Sequence, residues 1–167
     1  MNQIEIIEIK STQNEEYKDF LKIGLIKDEE NFRISPNDDL NSIFPTKDED
    51  DSFTLGAYFE NLLVGIVSFS RDGNDREKLR HKGILFRMYV SDEQRGKGIA
   101  KKLIEETINR VKKIKDIEQI NLTVISTNIY AKKLYEKIGF ATFGSEKNAI
   151  KWKEKYFTED QMALKIK

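Results

Sequence analysis

Three features of the chain predict an α/β fold, a single domain over residues 1–167 with a mixed sheet of about seven strands and flanking helices. The first is a pair of alternating runs, Phe53 to Phe59 and Leu62 to Arg71, separated only by Glu60-Asn61, which reads as a tight β-hairpin. The second is the stretch Ile84 to Ile125, in which an apolar run, a glycine-containing turn, an amphipathic segment and a second apolar run follow one another. A strand–helix–strand unit of that kind places its two strands parallel, with a right-handed crossover. The third is the order of the remaining segments, a strand and helix before the hairpin and a short helix and two closing strands after the unit.

Taken in order, Ile4 to Ile9 is short and β-branched and predicts a strand. Thr12 to Ile26 predicts a helix capped near Ser11 to Asn14, with apolar positions at Tyr17, Phe20, Leu21, Ile23, Leu25 and Ile26. Lys27 to Ser52 is polar and loop-like, with a short helix around Pro36 to Phe44. The hairpin strands follow, and then a charged loop from Arg71 to His81. Ile84 to Val90 is the next strand. Ile99 to Ile114 is a helix whose buried side carries Ile99, Leu103, Ile104, Ile108, Val111 and Ile114. Ile117 to Ser126 is a strand, and Asn128 to Ile138 a helix closed by Gly139. Phe140 to Phe143 and Gln161 to Ile166 read as closing strands, joined by a charged, aromatic connection through Trp152 and Tyr156.

Composition removes several chemistries. Lys and Arg number 29 and Asp and Glu 29, so bulk electrostatic binding of nucleic acid is not expected. There is no Cys and one His, His81, which excludes a cysteine acyl-enzyme and a multi-histidine metal site; no metal is expected. No Gly-x-Ser-x-Gly elbow is present. Group transfer is therefore expected to be direct. No apolar run is long enough to span a bilayer, and the N-terminal MNQIEIIEIK lacks the pattern of a secretory signal, so neither a membrane nor export is expected and the cytoplasm is the default.

The turn after Val90 holds the clearest chemistry. Arg95-Gly96-Lys97-Gly98-Ile99-Ala100 opens a helix, where backbone N–H groups lack intrahelical partners and the helix dipole adds positive charge. Glycine leaves room for a bulky anion to approach the main chain. Arg95, Lys97 and Lys101 add formal charge, and a phosphate or pyrophosphate is the simplest ligand. The turn is neither a Walker loop nor a dinucleotide fingerprint, since Lys101 stands where the third small residue would be.

The spacing Arg95-x-x-Gly98-x-Ala100 resembles the pyrophosphate loop of the GNAT acyltransferase superfamily. Downstream, Asn128-x-x-Ala131-x-x-Leu134-Tyr135-x-x-x-Gly139-Phe140 is similar to the second half of that family's signature, and Met162-x-Leu164-x-Ile166 resembles its last strand. The resemblance covers most of the chain, from about Phe53 to Lys167. It implies an N-acetyltransferase that uses acetyl-CoA as cosubstrate. The pyrophosphate would rest on Arg95, Gly96, Lys97, Gly98, Ile99 and Ala100, with Lys101 beside them. The pantetheine arm would pair with main chain near Met88 and Val90, in a gap between the diverging strands Ile84 to Val90 and Ile120 to Ile125. Asn128 matches a cofactor-contacting position, although Asn is an equally good helix N-cap. Tyr135 matches the general acid that protonates the departing thiolate.

One departure from the family pattern concerns the base. Ile84 to Val90 holds no carboxylate, and His81 and Glu60 are weak substitutes, so the base stays unassigned. The acceptor is expected to be a primary amine, small and cationic, because acid concentrates between Asp28 and Asp51, opposed there only by Arg33 and Lys47; a solvated loop explains that run equally well. Eight basic residues between Arg95 and Lys115 would face the CoA phosphates. A protein amine as acceptor, a non-catalytic acyl-CoA-binding regulatory module and a phosphate-binding interaction domain are the alternatives. A monomer or a homodimer fits the chain equally.

Overall fold

The structure, a computed structural model, describes residues 3–73 and 76–167. Met1, Asn2, Asn74 and Asp75 lie outside the described residues, and with them the first two positions of the N-terminal reading and the middle of the loop predicted over 71–81. Seven strands form one mixed sheet: β1 (Glu5–Ile9), β2 (Ser52–Phe59), β3 (Leu62–Arg71), β4 (Lys82–Val90), β5 (Gln119–Ile125), β6 (Ala141–Trp152) and β7 (Lys155–Lys165). Their spatial order is β1-β2-β3-β4-β5-β7-β6. The helices are α1 (Asn14–Lys27), α2 (Pro36–Leu40), α3 (Ile99–Lys112) and α4 (Ile129–Ile138).

Local chemistry sets the turns. Glu60 and Asn61 both take left-handed backbone, φ 51° and 64°, which matches the two-residue hairpin turn compatible with strand twist. Ser35 accepts from the Asp38 N–H at 3.2 Å and starts α2 ahead of Pro36. Gly139 ends α4 at φ 118°.

The sheet is packed on both faces. On one, α3 and α4 cover a cluster that includes Phe53, Leu55, Phe69, Leu103, Ile104, Val111, Leu122 and Tyr135. On the other, α1 covers Ile9, Ile66 and Tyr89, joined by Phe44 from the segment after α2. The sequence reading of α1 needs one correction: Ile23 and Ile26 are 47% and 58% exposed, while Gly24 is buried. Gly24 sits there because the helix lies directly on the Tyr89 ring. A Cβ added to it would come within 2.9 Å of that ring.

The end of the chain differs more. The expected short strands at Phe140 to Phe143 and Gln161 to Ile166 are parts of one long hairpin, β6–β7, turning at Lys153 and Glu154 with φ 46° and 63°. β6 is an edge strand, exposed along most of its length. Its Lys and Glu residues erase the alternation that marks a half-buried strand, as charged edge strands do generally.

β4 and β5 are the parallel pair. They are in register only at Lys82↔Gln119, Gly83↔Ile120 and Ile84↔Asn121. Beyond Ile84 the two strands run on without pairing. On its other side β4 pairs with β3, but that register shifts between Ile66 and Ser68, where Arg87 and Met88 both lie opposite Val67. Arg87 has φ 51°. An extra residue in left-handed backbone bends and twists a strand, and here it turns β4 away from β5.

The close seat of α1 on Tyr89 generates a prediction. Gly24→Ala forces ring or helix to shift and should destabilise by about 1–3 kcal/mol. Thermal unfolding should show a midpoint several degrees lower, and an unchanged midpoint would mean that the helix has room to spare.

Candidate functional site

The loop that opens α3 stands at the parted end of β4. Gly96 and Gly98 take φ 75° and 77°, and a Cβ at either would meet nothing within 4 Å. The space over the loop is open. The Arg95 N–H donates to Asp92 O at 3.2 Å, and the Lys102 N–H donates to Gly98 O at 3.1 Å. Between them, the N–H groups of Gly96, Lys97, Gly98, Ile99, Ala100 and Lys101 donate to no described residue. No side chain caps α3, and its first turn carries no acidic residue. The free donors therefore run from Gly96 to Lys101, one residue later than the sequence suggested, and they sit at the positive end of a 14-residue helix.

The three cations of the loop are used differently. The Arg95 guanidinium pairs with Asp28, contacts Asp92 at 2.9 Å, donates through Nε to Val90 O at 3.1 Å and lies 5.8 Å over the Tyr89 ring. It ties the loop to the end of β4 and to the end of α1. Lys97 Nζ donates to Gln94 Oε1 at 2.8 Å, and Lys101 lies 3.6 Å from Glu105. Both are exposed and free to turn toward an anion.

On β4, Met88 is half-buried and Val90 is buried against the α3 side of the sheet. Their main chain lies in the stretch that β5 leaves unpaired. Across the gap, Asn128 Oδ1 accepts from the Ala131 N–H at 3.3 Å, so its cap role is realised. Asn128 also lines a cleft of about 540 Å³ with Lys27 to Asn31 on one wall and Thr127 to Tyr130 on the other. Tyr135 is 6% exposed, in edge contact with Phe140 at 5.8 Å between ring centroids. No described residue hydrogen-bonds its hydroxyl, and burial pushes its pKa up to about 12, so the phenol stays protonated through neutral pH.

A second groove, about 410 Å³, runs between α3 and α4. Lys101, Lys112, Lys137 and Lys165 line it with one carboxylate, Glu105.

Several sequence candidates fall elsewhere or are already engaged. His81 is exposed and precedes the paired end of β4, roughly 25–30 Å of strand from Val90. Glu60 sits in the β2–β3 turn, at the same end as Val90. The fold ion-pairs four of the nine carboxylates of the acidic run: Asp28 with Arg95, Glu29 with Lys153 at 2.9 Å, Glu30 with Lys155 at 3.2 Å and Asp51 with Arg71. Lys153 holds the Glu29 carboxyl below its usual range. Among the described residues no three His, Cys, Asp or Glu side chains gather as a metal site, and no helix is long and apolar enough to cross a membrane.

Arg87, at the bulge of β4, is not among the candidates that the sequence motifs mark. Its signal was a lone arginine between Phe86 and Met88 in an otherwise apolar strand. Left-handed backbone at a non-glycine residue costs about 1–3 kcal/mol and gathers at functional sites.

Comparison with known proteins bears on this arrangement. The family described as the acetyltransferase (GNAT) domain matches residues 15–152. A spermine/spermidine N(1)-acetyltransferase of Bacillus subtilis is 27% identical over 103 residues, covering 58% of this chain and 68% of the relative. A streptothricin acetyltransferase of Escherichia coli is 29% identical over 114 residues, covering 68% of this chain and 62% of the relative. Among solved structures, an acetyltransferase of the GNAT family from Streptococcus pneumoniae superimposes with a TM-score of 0.81 at 24% identity, over 99% of this chain and 100% of the other. An N-acetyltransferase from Staphylococcus aureus gives 0.82 at 17%, over 99% of each.

The open space at Gly98 can be tested directly. Gly98→Trp puts an indole over the free N–H groups, and titration with acetyl-CoA should show at least about tenfold weaker binding, the equivalent of one or two charge-assisted hydrogen bonds. The far-UV spectrum should be retained. Undiminished affinity would mean that these N–H groups are not the phosphate site.

Proposed function

This chain belongs to the GNAT acetyltransferase family, and from that membership we propose that it moves an acetyl group from acetyl-CoA directly to the primary amine of a small cationic molecule. The observation that carries the reading is the coincidence of two features at one end of the sheet. Six unpartnered main-chain N–H groups, Gly96 to Lys101, lie beside a parallel strand pair that parts after Ile84.

In this reading the diphosphate rests on those N–H groups, with Lys97 and Lys101 turning toward it. The lysine-lined groove between α3 and α4 takes the remaining phosphate charge. The pantetheine arm lies along Met88 to Val90 as an added strand, which aims the thioester into the gap. Arg95 positions the loop by holding it to Val90 and Asp28. Asn128 starts α4, and α4 presents Tyr135 from the α3 side of the sheet.

When the amine nitrogen attacks the thioester carbon, a C–N bond forms and the carbonyl oxygen takes the electron pair. The C–S bond then breaks, and Tyr135 donates its hydrogen bond, then its proton, to the sulfur. The pKa of about 12 keeps the phenol neutral until negative charge develops on sulfur. The proton lost by nitrogen leaves to solvent, and the tyrosinate recovers one from it. Much of the acceleration comes from holding amine and thioester together.

Support for a cationic acceptor comes from the names of the relatives, one a spermine/spermidine and one a streptothricin acetyltransferase. The acidic run adds less than its composition suggests, because Asp28, Glu29, Glu30 and Asp51 are committed to ion pairs. A non-catalytic acyl-CoA-binding role is favoured by one observation, the lack of a carboxylate on β4.

Thiol release from acetyl-CoA across a panel of polyamines, amino sugars, amino acids and lysine peptides tests the transfer. At least one small amine should give turnover, and tight acetyl-CoA binding without release on any of them would favour the non-catalytic role. Tyr135→Phe should lower kcat by about 10²–10⁴-fold while leaving acetyl-CoA affinity within twofold. Unchanged turnover would remove Tyr135 from the acid role.

A further inference from the structure

The cleft over the parted strands has two unlike walls. Asp28, on one of them, is tied through Arg95 to the end of β4, and Thr127, on the other, follows the last residue of β5 by two positions. The cleft of about 540 Å³ therefore spans the mouth of the gap. The first wall, Lys27 to Asn31, is polar, with one ammonium and three carboxylates. The second, Thr127 to Tyr130, ends in two large side chains that the fold leaves in the open: Ile129 is 56% exposed and Tyr130 91%.

Neither residue is needed to build α4. The helix packs through Ala131, Leu134, Tyr135 and Ile138, and Ile129 and Tyr130 belong to neither buried cluster. Asn128 supplies the cap, and its bond to the Ala131 N–H fixes the first turn. Among the described residues the Tyr130 ring meets no other ring or cation, and its hydroxyl bonds to nothing. A single exposed apolar side chain is ordinary. Two in succession, lining a concave surface at the same end of the sheet as the free N–H groups of the α3 loop, mark a place where something apolar comes to rest.

The two walls together define its chemistry. The facing carboxylates suit a cation, but Asp28, Glu29 and Glu30 are already held by Arg95, Lys153 and Lys155. The unused surface is the apolar one. A tyrosine ring beside an isoleucine offers rigid apolar area, and a ring face also tolerates a neighbouring ammonium.

We propose that Ile129 and Tyr130 seat the carbon body of the acceptor, so that the acceptor is a primary amine on an extended aliphatic or arylalkyl stem and is selected by the length of that stem. This rests on the transfer reading, in which the thioester lies in the gap and the acceptor enters across the cleft. The reacting nitrogen passes between the walls to the thioester, and the stem stays on Ile129 and Tyr130. Tyr130 touches the substrate but no reacting atom, so it sets specificity and not the rate of the chemistry.

The test is a homologous series, ethylamine to hexylamine with phenethylamine, each alkylamine beside the diamine of equal chain length. Calorimetric titration into the protein saturated with CoA reads the site without depending on turnover. Affinity should rise about two- to fourfold for each added methylene until the cleft is filled, the gain of burying one CH₂. The kcat/KM for thiol release should rise with it. Tyr130→Ser should flatten the series, with a loss of at least about tenfold for the longest amine that fits, carried by KM while kcat stays within about twofold. Acetyl-CoA affinity and the unfolding midpoint should not move, because the side chain is exposed. Tyr130→Phe should restore the series, since the hydroxyl has no partner to lose, and Ile129→Ser should give a smaller loss of the same kind. A flat series in the unsubstituted protein, a preference set by the second ammonium and not by stem length, or a Tyr130→Ser loss that falls on acetyl-CoA would overturn the proposal. Thiol release with no amine would instead defeat the transfer reading, and the titration would still decide the stem site.

Discussion

The parting of β4 from β5 is the constraint on which the rest of this structure depends. Two parallel strands in the middle of a sheet ordinarily bond along their whole length, because unpaired backbone groups are costly away from water. Here they share three registered pairs and then separate. The cause is local: one extra residue in β4, in left-handed backbone, opposite a single residue of β3. The sheet tolerates this because it is closed firmly elsewhere. β3 holds β4 on one side, β7 holds β5 along its full length, and clusters of buried side chains cover both faces.

Around that gap the two faces of the sheet supply different chemistry. The α3 side offers main-chain donors, lysines and a buried neutral phenol. The α1 side offers hydroxyls and, at its rim, carboxylates committed to lysines of the β6–β7 hairpin. The division follows from connectivity. α3 must start at the end of β4 because a right-handed crossover returns the chain to β5, so its N-terminus and the gap share one end of the sheet. Arg95 secures that coincidence by bonding the strand end, the loop and the end of α1 at once.

Much of this was legible in the sequence because it was written in local chemistry. Glu60-Asn61 marked its hairpin, Gly96 and Gly98 marked the left-handed turns, and Asn128 and Gly139 marked both ends of α4. The mixed sheet, with its one parallel pair and its antiparallel hairpins, followed from the segment pattern. What escaped was set by tertiary contact. Gly24 is buried because Tyr89 lies beneath it, and Ile23 and Ile26 are exposed because the helix turns that glycine inward. β6 hid its length behind the charges of an edge strand. The acidic run from Asp28 to Asp51 looked like a wholly unpaired rim because the basic groups that engage four of its carboxylates, Arg71, Arg95, Lys153 and Lys155, come from distant parts of the chain. Arg87 escaped for a related reason: a strand's alternation says nothing about where a bulge will turn a side chain.

Amide chemical shifts followed during titration with acetyl-CoA test the central claim most directly, because they read each main-chain N–H separately. Burial of the diphosphate and pantetheine in the gap should give the largest changes at Gly96 to Lys101 and at Phe86 to Val90, with little change at the paired end near Lys82 to Ile84. Saturable binding whose largest changes fall outside the Gly96 to Lys101 loop, or no change at millimolar acetyl-CoA, would contradict the account.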